Sequence, residues 1–128
     1  MSHDVVATKN APAAIGPYSQ AIAANGFLFT AGQIPLIPET MEVVEGGIAE
    51  QTERVMQNLA AILSEAGTTF DRVVKTTCYL ANFDDFAAFN EVYARYFTAA
   101  PPSRSTIEAA RLPRNVLIEI DVVAAIDA

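Results

Sequence analysis

Arg104 and Glu119 each stand alone in an apolar, strand-like stretch near the C-terminus. The first lies in Pro101-Pro102-Ser103-Arg104-Ser105-Thr106-Ile107-Glu108, the second in Val116-Leu117-Ile118-Glu119-Ile120-Asp121-Val122. A guanidinium presents a planar fork of donors that matches the two oxygens of a carboxylate. A carboxyl group on an apolar strand becomes a general acid or base when desolvation lifts its pKa. The pair therefore suits anchoring of a small anion beside acid/base chemistry. A structural ion pair, or two solvated side chains, is the competing reading.

Four further residues could complete such a site. Tyr18 follows Gly16-Pro17, so its ring sits on a stiffened loop and its hydroxyl could reach a ligand, although simple packing explains it equally. Gly32, before Gln33-Ile34-Pro35, permits close approach of backbone to a ligand, or is a plain turn glycine. Thr106 shares one side of its strand with Arg104 and Glu108. Asn90 falls on an aromatic stripe and reads as a buried amide serving backbone groups. If the two final strands are neighbours, Arg104 and Glu119 can line one polar pocket; the spacing allows this and does not require it.

Composition removes alternatives. The 128 residues hold one cysteine, Cys78, and one histidine, His3, which excludes an internal disulfide, a Cys-rich zinc site, His-based triads and multi-His metal centres. Cys78 reads as inert core. Net charge is −7 with no cluster of Lys or Arg, a poor match to nucleic acid or to an anionic membrane surface. No apolar run is long enough to span a bilayer, and Met1-Ser2-His3-Asp4 does not open like a signal peptide. One cytoplasmic domain over residues 1–128, without metal, is expected.

The elements that must position these groups follow from pattern. Asp4 to Thr8 is an edge strand, and Ala11 to Tyr18 a turn-rich connection. Ser19 to Ala24 and Phe27 to Ala31 flank Asn25-Gly26, a hairpin signal. A loop with Pro35, Pro38, Gly46 and Gly47 leads to a helix over Ile48 to Ala66, with Val55, Met56, Leu59, Ile62 and Leu63 at helical spacing and Gly67 as stop. Arg72 to Leu80 is a strand. A second helix starts at Asn82 or Asp84 and carries Phe86, Phe89, Tyr93, Tyr96 and Phe97. Strands over Arg104 to Ala109 and Val116 to Ile126 finish an α+β mixed sheet with two helices on one face. On the last strand Leu117, Glu119, Asp121, Val123 and Ala125 form a row too apolar to leave bare and too charged for core. Such a face suits burial against another subunit.

Several motifs resemble the RidA/YjgF family of reactive-intermediate deaminases. They are Ala13-Ala14-Ile15-Gly16-Pro17-Tyr18-Ser19-Gln20, Thr30-Ala31-Gly32-Gln33-Ile34-Pro35, Val74-Lys75-Thr76-Thr77, Phe89-Asn90-Glu91-Val92-Tyr93 and Pro102-Ser103-Arg104-Ser105 through Ile118-Glu119-Ile120. The resemblance implies a chorismate-mutase-like (ferredoxin-like) fold and a homotrimer with sites in clefts between subunits. It implies hydrolysis of enamines and imines, such as 2-aminoacrylate, 2-iminopropanoate and 2-iminobutanoate, to 2-oxo acids and ammonia, without cofactor. These intermediates leak from pyridoxal-phosphate dehydratases. Arg104 would then hold the substrate carboxylate and Glu119 would position water and shuttle its proton. Tyr18 and the backbone of Gly32 would complete the pocket, the main-chain carbonyl of Thr106 would accept from the substrate nitrogen, and Asn90 joins the substrate-binding set. The family often has cysteine where Thr106 stands and serine where Ala31 stands.

Three hypotheses thus compete: an imine/enamine deaminase, a non-catalytic binder or sensor of small 2-oxo acids, and a ribonuclease. The acidic charge and the lack of a catalytic histidine weigh against the last.

Overall fold

A computed structural model describes residues 3–126; Met1, Ser2, Asp127 and Ala128, and with them the first residues of the signal-peptide reading, lie outside the described residues. The elements run β1 (Asp4–Val6), β2 (Ala21–Ala24), β3 (Phe27–Thr30), α1 (Ile48–Glu65), β4 (Val73–Leu80), α2 (Phe86–Ala94), β5 (Ser103–Glu108) and β6 (Ile118–Ala125). Local chemistry accounts for their ends. Asn25 and Gly26 take φ 53° and 82°, the double left-handed step of a type I′ turn that matches strand twist. α1 is capped at its start by Gly47, whose amide donates to Glu50 Oε1 at 2.8 Å, and stops ahead of Gly67, which adopts φ +80°. Its buried stripe of Val55, Met56, Leu59, Ile62 and Leu63 is the one read from sequence. Each such side chain contributes about 1.5–3 kcal/mol on leaving water.

α2 begins later and ends sooner than expected. Asn82 does cap, accepting from the Asp84 amide at 2.9 Å, but it caps a 3-10 turn over Phe83–Asp85 that precedes the helix. Tyr96 and Phe97 lie beyond the helix end, where their rings still pack on Phe70. β1 is shorter than Asp4 to Thr8 because the Thr8 amide turns to the Gln20 side chain at 2.7 Å. β6 starts at Ile118 because Leu117 donates its amide to Gln51 Oε1 at 2.8 Å instead of to a strand.

One mixed sheet has the order β1-β2-β3-β6-β4-β5, with β4–β5 parallel and every other pair antiparallel. Both helices cover one face. Leu28, Cys78, Leu80, Ile118, Ile120 and Val122 meet Leu59, Ile62 and Phe89 in a continuous core. Neither helix covers the opposite face, where large apolar side chains stay exposed among the described residues. Phe27, Phe29 and Ile107 are 41%, 46% and 50% exposed there, beside the half-buried row Glu119, Asp121, Val123 and Ala125. The expected α+β sheet with both helices on one face is present.

The condition for a pocket lined by Arg104 and Glu119 within one chain is not met: β5 and β6 are not neighbours, because β4 lies between them. Arg104 pairs with Thr76, and Glu119 pairs with Tyr79. Thr76 belongs to the buried, helix-covered row of β4 and Tyr79 to the other row, since alternate residues of a strand point to opposite faces. Arg104 and Glu119 therefore project from opposite faces of the sheet.

Candidate active site

The Arg104 half of the site is built between β5 and α2. Phe86, Asn90 and Tyr93 recur at helical spacing, so one side of α2 presents all three to the β5 edge. Arg104 Nη1 donates to Asn90 Oδ1 at 2.6 Å. Its guanidinium carbon lies 5.4, 5.5 and 4.8 Å from the ring centres of Phe86, Phe89 and Tyr93. These distances are within cation–π range. Tyr93 is fixed in turn, its hydroxyl 2.8 Å from Thr76 Oγ1 in the core. Among the described residues no carboxylate lies within ion-pair distance of Arg104. The guanidinium opens instead on a cleft of about 510 Å³ that Asn90, Tyr93, Phe97, Pro101 and Pro102 help to line.

Asn90 departs from expectation: its amide oxygen serves Arg104, not the backbone. The spacing Phe86, Asn90, Tyr93 carried that signal, but only the parallel pairing of β4 with β5 brings Arg104 beneath it. Thr106 shares the face of Arg104 and pairs with Cys78; its Oγ1 is buried without a hydrogen-bond partner among the described residues. Burial pushes the Cys78 thiol up to about 11, against the contact with Thr76, so it stays protonated.

The Glu119 half lies on the other face. β3 pairs with β6 in register up to Phe29–Val123, and contact resumes at Gln33–Ile120, one residue out of step. Three residues of the first strand face two of the second, which is a bulge. Thr30 Oγ1 fills the gap by accepting the Val122 amide at 3.0 Å. The bulge puts Gly32 against Glu119. A β-carbon on Gly32 would lie 2.8 Å from the carboxyl carbon of Glu119 and closer still to Oε2. Gly32 has no positive φ, so the absence of a side chain, not backbone freedom, is what the position uses. Gly32 also lines a cavity of about 40 Å³ with Tyr18, whose hydroxyl accepts from the Ile15 amide at 3.3 Å.

Burial raises the pKa of Glu119, and the neighbouring Asp121 charge adds to it. Burial also raises Asp121, opposed by the Tyr79 hydroxyl, which donates to Asp121 Oδ2 at 3.3 Å, and by Lys75. Sequence reading placed Asp121 on this row but gave no part to Tyr79, because the lean of its ring depends on cross-strand register. A carboxyl group held toward its neutral form can both give and take a proton.

The chain thus carries two half-sites. One joins Arg104, Asn90 and Thr106; the other joins Glu119, Gly32 and Tyr18. Among the described residues the two halves lie on opposite faces of the sheet.

A family model described as Endoribonuclease L-PSP matches residues 8–126. A "RutC family protein" of Pyrococcus abyssi is 52% identical over 97% of this chain and 98% of its own length. A mouse protein named 2-iminobutanoate/2-iminopropanoate deaminase is 42% identical over 94% of this chain and 89% of its own. The crystal structure of a putative endoribonuclease from Thermotoga maritima superimposes with a TM-score of 0.94 at 49% identity, covering 98% of both chains. With the motifs around Tyr18, Gly32, Asn90, Arg104 and Glu119 in place across nearly the whole length, the chain belongs to the Endoribonuclease L-PSP family, also called RidA/YjgF.

Proposed function

We propose that this chain is a single-domain, cytoplasmic enamine/imine deaminase that hydrolyses small 2-imino acids, such as 2-iminopropanoate and 2-iminobutanoate, to 2-oxo acids and ammonia. The observation that carries this reading is an arginine with no acidic partner among the described residues, caged by rings and opening on a cleft. A cation left in that state favours an anionic ligand, and the substrate carboxylate supplies one. The mouse relative's name supports the reaction class.

The opposite placement of Arg104 and Glu119 supports a shared site. In a closed ring of chains, here taken as a homotrimer, the Arg104 edge of one subunit meets the Glu119 face of the next. Burial of the bare apolar face would stabilise that contact. Arg104 binds the carboxylate through its free donors, and Tyr18 and Gly32 close the pocket. The main-chain carbonyl of Thr106 accepts from the substrate N–H. The carboxylate of Glu119 takes a proton from water as the oxygen adds to the carbon of the protonated imine, giving a neutral carbinolamine. It then returns that proton to nitrogen as the C–N bond breaks, and the hydroxyl proton leaves with the departing ammonia as ammonium, releasing the 2-oxo acid. The imine carbon is already electrophilic, so positioning and one acid/base group suffice. No residue is assigned to a cofactor. Nucleic acid is not a proposed partner, given a net charge of −7. Among the described residues no helix is long and apolar enough to cross a membrane.

The test follows ammonia release from 2-iminobutanoate generated in situ. Arg104→Ala and Glu119→Gln should each fall to the uncatalysed rate. Mixed and allowed to exchange subunits, the two variants should recover about a quarter of the sites, because a cleft needs one intact residue from each neighbour. Full activity in Arg104→Ala defeats the anchoring role. The alternative, a non-catalytic binder of 2-oxo acids, predicts that no preparation exceeds the uncatalysed rate, while Arg104 still binds ligand.

A further inference from the structure

We infer that Asn90 is a positioning residue that holds Arg104 through a neutral acceptor, leaving the guanidinium charge for the ligand. This inference rests on the reading that Arg104 anchors a carboxylate. Half-buried arginines usually meet Asp or Glu, because desolvating an unpaired cation is costly. Here the contact at the same geometry, 2.6 Å from Nη1, comes from an amide oxygen. An amide satisfies a donor and fixes the fork without neutralising it. The three rings restrain the guanidinium plane in the same way, through quadrupoles in place of charge.

The acids nearest in sequence are turned elsewhere. Glu91, adjacent to Asn90, points out and sits 3.8 Å from Arg95. Glu108 shares the face of Arg104 on β5 but accepts the Phe83 amide at 2.8 Å. None of the residues lining the cleft other than Arg104 carries a charge. The asparagine is therefore the point at which a one-atom change would close the site: an aspartate of the same shape would form an internal ion pair and compete with the ligand.

The experiment titrates the full chain with 2-oxobutanoate, a stable product analogue, by calorimetry, and follows Tm and steady-state kinetics in parallel. Asn90→Ala should weaken binding about threefold, the loss of one orienting hydrogen bond. Asn90→Asp should weaken it by about tenfold or more, with Tm at or above that of the parent chain, because a charged acceptor binds Arg104 more strongly than an amide. KM should carry the effect in both, with kcat within about twofold. A role in packing alone predicts the reverse, the isosteric Asp outperforming Ala. Should Asn90→Asp fail to fold, the exposed Ala94, one turn along α2 on the rim of the same cleft, decides the matter. Ala94→Glu should weaken binding in a salt-sensitive manner and Ala94→Gln should not. Asn90→Asp binding as tightly as Asn90→Ala, or Ala94→Glu binding as tightly as Ala94→Gln, overturns the inference. If Arg104→Ala itself binds like the parent chain, the underlying reading of the site fails as well; loss in Arg104→Ala with full binding in Asn90→Asp sinks this inference alone.

Discussion

Replacing Gly32 by alanine should separate catalysis from stability. The new methyl would stand 2.8 Å from Glu119 Cδ and 3.1 Å from Cγ, inside any real carbon–carbon contact. Backbone strain does not enter, because φ at Gly32 is not positive. The neighbour that must yield is the far end of a flexible side chain on a face that neither helix covers, so Glu119 can swing away. Its displacement into a poorer rotamer costs about 0.5–1.5 kcal/mol. Loss of unfolded-chain freedom at position 32 offsets this by about 0.4–1 kcal/mol. The two nearly cancel, and Tm should move by no more than about 4 °C. Turnover should not survive so well. Removing a positioned acid/base group lowers rate by about 10²–10⁴-fold, and a carboxylate moved by a methyl diameter is removed in this sense. Ammonia release from 2-iminobutanoate, corrected for the spontaneous reaction, reads the first quantity and calorimetry the second. Binding of 2-oxobutanoate at Arg104 should persist. A Gly32→Ala variant that turns over like the parent chain would refute the contact between Gly32 and Glu119, and a collapse in Tm would refute the freedom assigned to Glu119.

Three other outcomes are expected. Glu119 and Asp121 both titrate above their ordinary range in the folded chain, so they bind more protons folded than unfolded across that window, and stability falls as pH rises through it. Melting curves of a Glu119→Gln/Asp121→Asn double variant should therefore lose this decline and lie above the parent at pH 7; parallel profiles would contradict the burial assigned to both acids. Gln20→Ala should cost about 2–3 kcal/mol in urea unfolding, because the buried side chain accepts the Thr8 amide and donates to the Thr8, Ala11 and Pro12 carbonyls, which lose their partner. Cys78, buried with its thiol raised to about 11, should react with a disulfide reagent only on unfolding; rapid labelling of the native protein would place it wrongly in the core.

Legibility from sequence followed the range of the forces involved. The Asn25-Gly26 turn and α1 from Ile48 to its Gly67 stop depend on residues a few positions apart, and they were readable. The neighbours of β6 were not, since its insertion between β3 and β4 is decided by long-range pairing that leaves no local pattern. The same limit governed the site. Residue types at 104, 119, 18, 32 and 90 were all identifiable, but spacing left open whether Arg104 and Glu119 meet within one chain, and the strand order places them on opposite faces. Parity along β4 decides the face of each, and parity needs register. Asn90 was assigned to backbone because its true partner lies across a crossover.

The irregularity at Ala31–Gly32 has an evolutionary corollary. Deleting one residue there would let β3 run on against β6 in unbroken register, with Thr30 freed from patching the Val122 amide. A smoother ladder of that kind is the change that selection for thermal robustness alone would reward. It would also erase the hollow that receives the Glu119 carboxylate, so sequences screened only for hardiness should drift toward well-folded, inert relatives. If Glu119 acts as proposed, the bulge and the chemistry are one inheritance.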